Sequence, residues 1–84
     1  MVKVLFASSP YQAQITIDEE WYKTPTWQNL ESKDVKVATE NQLQGLTFHH
    51  WEVNRQNVST DNPAVVHIPD SDEEVEVMAV FKRV

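Results

Sequence analysis

The chain has 84 residues, with 13 acidic against 7 basic side chains, a formal charge of −6, no cysteine and one glycine. That length holds one domain, and the missing cysteines exclude a disulfide frame or a thiolate metal site. One glycine excludes a glycine-rich phosphate loop, the acidic balance argues against nucleic acid and anionic membrane surfaces, and no apolar stretch nears the roughly 20 residues of a membrane span.

Taken in order, the chain opens with VKVLF (2–6), a short apolar run too small for a signal peptide. YQAQITI (11–17) alternates, with Tyr11, Ala13, Ile15 and Ile17 on one face. A short segment at 20–24 follows, then DVKVATE, which puts Val35 and Val37 on one side of a strand at 35–40. Segments at 47–54 and 64–68 are rich in aromatic and β-branched residues. EEVEVMAVFK closes the series at 73–82, with Val75, Val77, Ala79 and Phe81 opposite Glu74, Glu76, Met78, Val80 and Lys82. The period is two rather than 3.6, which predicts strands. Turn-forming clusters such as SSP (8–10), TP (24–25) and PDSD (69–72) separate the runs. The longest linker, 54–63, is polar and reads as a mobile surface loop.

Seven short strands with regular turns predict a single all-β domain over 1–84: a small antiparallel β-sandwich, immunoglobulin-like in general shape. The expected core is Tyr11, Ile15, Ile17, Tyr22, Val35, Val37, Phe48, Trp51, Val65, Ile68, Val75, Val77 and Phe81.

The order of ITIDEEWYKTP, DVKVAT, GLTFHHWEV, NVSTDNPAVVHI and DEEVEVMAVF resembles a small β-sandwich repeat module. That module, the bacterial repeat or internalin B-repeat-like domain, occurs in bacterial and archaeal surface proteins. Ile17, Asp18, Tyr22, Thr24, Pro25, Gly45, Phe48, Trp51, Asn62, Pro63, Val77, Ala79 and Phe81 sit at the matching places, and the match spans about 13–82. Glu19-Glu20 stands where the pattern has a turn glycine, and the glycine after the Trp strand is missing. The resemblance implies a non-catalytic module of a secreted or cell-surface protein, with no cofactor. It also implies that Tyr22 and Trp51 face inward and that Trp21 faces out.

Trp21 and Trp27 are then surplus to the core. Exposed indole rings offer a flat apolar platform for the C–H faces of sugars, with a polar rim for their hydroxyls. Edge packing is the plainer role for the same rings. Gln28, Asn29, His49 and Arg55 are the expected hydrogen-bonding partners of a bound glycan. Phe48 and Trp51 are three apart, which sets them on opposite faces unless a bulge intervenes. His49 and His50 are adjacent, so they are expected to project to opposite faces. Their spacing to His67 fits no zinc signature, so no metal is expected. The acidic runs 18–20 and 70–74 read as solvated turns, since neither matches a calcium loop. No nucleophile elbow or spaced triad is present, and a sandwich of this size has little depth for a catalytic cleft. The chain is therefore read as no enzyme.

Three functional expectations follow. The first is a carbohydrate-binding accessory module, extracellular or at the cell surface, whose partner is a polysaccharide or glycan. The second is a structural or adhesive spacer in a tandem array. The third is a small acidic protein that binds and inhibits a protein partner, an idea suggested by the Met1 start and the short N-terminal run.

Overall fold

The computed structural model describes residues 1–83. Ten strands build two packed sheets, and the described residues contain no helix. The strands are β1 (Val2–Ser9), β2 (Gln14–Ile17), β3 (Glu20–Lys23), β4 (Thr26–Leu30) and β5 (Asp34–Thr39). They continue with β6 (Gln42–Leu43), β7 (Leu46–Val53), β8 (Gln56–Ser59), β9 (Ala64–His67) and β10 (Val75–Lys82). The larger sheet runs β4-β1-β10-β7, and both β6 and β8 pair with the far side of β7. The smaller sheet runs β3-β2-β5-β9. The domain is a two-sheet sandwich of 36 × 22 × 18 Å.

Alternation explains the core. Val2, Val4 and Phe6 of β1 and Val75, Val77, Ala79 and Phe81 of β10 point inward from the larger sheet. Ile15, Ile17, Val35, Val37, Ala64 and Val66 meet them from the smaller sheet. Trp51 is fully buried, and its Nε1 donates to the Asp61 carbonyl at 3.0 Å. That bond satisfies the one polar group the indole carries into the interior.

Turn chemistry differs from the expectation. Asp18-Glu19, Gln44-Gly45 and Asn54-Arg55 each form a two-residue hairpin loop with both φ angles positive. Such loops match the right-handed twist of the flanking strands. Only one of those six positions is glycine; the hairpins at 18–19 and 54–55 carry the usual Asp or Asn first but lack the glycine that usually follows. The second converts the expected loop 54–63 into a hairpin followed by β8. β4 and β6 were likewise not expected as strands. β4 follows Thr24, where the chain crosses between sheets. Thr24 is buried; its Oγ1 accepts from the Ala13 N–H at 2.9 Å and lies 2.6 Å from Ser8 Oγ.

Four further expectations are corrected. The sandwich is not wholly antiparallel, because β1 and β10 pair in parallel from Val4 opposite Val75 to Ser9 opposite Val80. Alternation reports which face a residue takes, not the direction of the neighbouring strand. Tyr11 is 45% exposed rather than core, because residues 11–13 lie outside the β2 ladder. Val65 is 64% exposed; inward parity on β9 belongs to Ala64 and Val66 and carries on to Ile68. Tyr22 and Phe48 are half-buried and pack against the core rather than within it.

Candidate functional site

The outer face of the larger sheet is where the exposed chemistry collects. Alternation on β1 turns Lys3, Leu5 and Ala7 outward, and on β10 it turns Glu76, Met78 and Val80 outward. On β4, Trp27 lies opposite Leu5 and Asn29 lies opposite Lys3. On β7, Glu52 lies opposite Met78 and His50 opposite Val80. Leu5 is also level with Glu76 on β10. The rows therefore read Trp27, Leu5, Glu76, and then Ala7, Met78, Glu52. Half-buried Leu5, Ala7, Met78 and Val80 form an apolar strip. Three strand spacings separate β4 from β7, roughly 14 Å.

Charge and hydrogen-bonding groups rim that strip. Lys3 Nζ lies 4.7 Å from the Trp27 ring centroid and 4.0 Å from a Glu74 carboxylate oxygen. Arg55, at the tip of the β7–β8 turn, donates from Nε to Glu76 Oε1 at 2.7 Å. His50 Nε2 sits 2.7 Å from Glu52 Oε2, and His50 Nδ1 sits 2.6 Å from His49 Nδ1.

The two histidines correct the expectation of opposite faces. Their ring centroids are 4.8 Å apart. The β7–β10 register slips here: His50 stands opposite Val80 and Phe48 opposite Phe81, which leaves His49 as an extra residue. A bulge of this kind re-aims neighbouring side chains. The same slip lets Phe48 and Trp51 share one side, with ring centroids 5.5 Å apart.

Of the expected site residues, Trp27, Asn29, His49 and Arg55 lie on or around this face. Trp27 is 47% exposed. Trp21 is 63% exposed, but it stands on β3 opposite Thr16, on the outer face of the smaller sheet. The two surplus rings are solvent-facing, yet they look away from each other across the sandwich and form no common platform. Gln28 is half-buried on the inward side of β4, opposite Val4, and its Nε2 donates to Thr26 Oγ1 at 3.0 Å. Lys3, Leu5, Met78, Glu52 and Glu76 were not anticipated at the site. The outward parity of β10 was readable, but its neighbours were not, because sheet order is not local information.

One titrating group has a shifted pKa elsewhere on the surface. The Tyr22 hydroxyl donates to Glu20 Oε2 at 2.9 Å, and this bond holds its pKa above the ordinary 10.0. Among the described residues no group of three or more His, Asp or Glu side chains is placed to hold a metal ion. No family model, curated protein or solved structure matches the chain.

Proposed function

We propose that the protein is a non-catalytic accessory module of a secreted or cell-surface protein, and that it binds a neutral glycan on the outer face of its larger sheet. The observation that carries this reading is Trp27: an exposed indole beside a flat apolar strip, with Asn29 on its own strand and Arg55 and His49 across the sheet. Trp27 stacks on a sugar face, and the polar groups take the hydroxyls. Lys3 covers one side of the ring, so a sugar either takes the other side or displaces an exposed cation–π contact of about 0.5–1 kcal/mol. Stacking itself is worth on the order of 1 kcal/mol. Binding is therefore weak, and the surrounding carboxylates disfavour an acidic glycan.

The test is a fluorescence titration with a panel of soluble polysaccharides. The reading expects a response that Trp27→Ala abolishes and Trp21→Ala largely keeps, with both variants folded. A response that survives Trp27→Ala sinks it.

A second reading, a spacer in a tandem array, has its own support. Parallel pairing with Val4 opposite Val75 puts Val2 about nine residues of strand away from Lys82, roughly 30 Å. Neighbouring modules would then sit at opposite poles. Two copies joined in tandem should scatter X-rays as an elongated particle; a folded-back pair counts against the spacer.

A further inference from the structure

The smaller sheet ends on β9; no strand hydrogen-bonds to its other side, which faces β8 of the larger sheet. The Ile68 N–H donates to the Lys33 carbonyl at 2.9 Å. From that pair the register steps back through His67 opposite Asp34, Val66 opposite Val35 and Val65 opposite Lys36. Bonded and unbonded pairs alternate along an antiparallel ladder. Val66 and Ala64 therefore bond to β5, and Val65 and His67 turn their N–H and C=O groups outward.

A groove runs beside those outward groups. It consists of two adjoining hollows of about 410 and 460 Å³, which share Val58 and Val65. Asp61 and Pro63 line one end; His67 and Pro69 line the other. Val58 and Val65 are both large exposed hydrophobics. Val58 is the extra residue of a bulge on β8, where Ser59 stands opposite Trp51 and Asn57 opposite Glu52. Proteins usually guard a free edge with proline, a bulge or charge. β3, the other edge of this sheet, begins with Glu20 and ends with Lys23. The four residues of β9 contain no proline, bulge or inward charge.

Charge selects the occupant. Asp61 lies three residues before β9, and Asp70, Asp72, Glu73 and Glu74 follow its end. Asp61, Asp70, Asp72 and Glu73 make no ion pair among the described residues, while the one lysine in the groove, Lys36, has Glu19 at 3.8 Å. Pairing of two copies through β9 would set each 70–74 turn against the other's Asp61, like charge against like. We propose that this edge binds an extended peptide of a partner protein by strand addition, the peptide being aliphatic at its centre and basic at both ends. Main-chain bonds to Val65 and His67 hold it, Val58 and Val65 meet its aliphatic residues, and the acidic ends fix its flanks.

The probe is a capped heptapeptide, Lys-Lys-Val-Ile-Val-Lys-Lys, titrated into the whole chain at low ionic strength. Amide NMR shifts should concentrate at Val58, Val65 and His67. N-methylating the peptide amides that face β9 should weaken binding about tenfold, as loss of the ladder bonds requires. Replacing its lysines by glutamates should weaken it by about as much or more. Val58→Lys, at an exposed bulge position, should weaken it with the fold intact. No binding, shifts that map elsewhere, or an affinity indifferent to N-methylation would each overturn the proposal. So would sedimentation that shows the chain already dimeric through β9.

Discussion

The Asn62 side chain stands where a backbone partner for Thr39 belongs. Its Oδ1 accepts from the Thr39 N–H at 2.9 Å, and its Nδ2 donates to the Thr39 carbonyl at 2.8 Å. The β5–β9 register, with Val37 opposite Ala64, would next set Thr39 opposite residue 62. A side-chain amide thus extends the ladder by one step, just before Pro63, which has no N–H to contribute.

Asn62→Ala removes both bonds and strands the Thr39 amide at a largely buried position. The expected loss is about 1–3 kcal/mol. Urea unfolding should show a lower midpoint with an unchanged slope. An unchanged midpoint would mean that water replaces the amide without cost.

Glu19→Gly should stabilise the domain. Glu19 has φ of 74°, a left-handed conformation that costs a side-chain-bearing residue more than glycine. The greater freedom of glycine in the unfolded chain offsets part of this gain, leaving about 0.5–1 kcal/mol. The Glu19–Lys36 pair it sacrifices is exposed and contributes little. Thermal unfolding should shift upward by roughly 2–8 °C; a downward shift counts against a strained turn.

Alkaline pH should weaken one tie on β3. The pKa of Tyr22 is raised first by its hydrogen bond to Glu20. A folded pKa above the unfolded one adds stability that is complete below the unfolded value and is lost as pH rises through the folded value. The window therefore opens near pH 10 and extends upward. Ultraviolet titration should show a late phenolate transition that disappears in Tyr22→Phe and moves to lower pH in Glu20→Gln. A midpoint unmoved by Glu20→Gln would remove the carboxylate as its cause.

The inward halves of β2, β5 and β10 were legible because each is a clean alternation of β-branched residues around one buried layer. Ile15, Val35 and Val77 stand where that pattern puts them. Trp51 is inside and Trp21 outside, as the resemblance implied. The rest depended on non-local facts. The one-residue slip at His49 arises from pairing with β10 and leaves no mark in the chain itself. Val65 and Val66 are chemically identical, and only the ladder to β5 decides which faces in. The candidate face was half legible for the same reason. Asn29 and Arg55 could be named as polar groups, but their common surface with Trp27 follows from β1 lying between β4 and β10.

The side-by-side, same-direction run of the first and last strands also has a mechanical meaning. Tension applied at Val2 and Lys82 would load the hydrogen bonds between Val4–Ser9 and Val75–Val80 in shear, all at once rather than one after another. A domain pulled this way resists until the whole row gives.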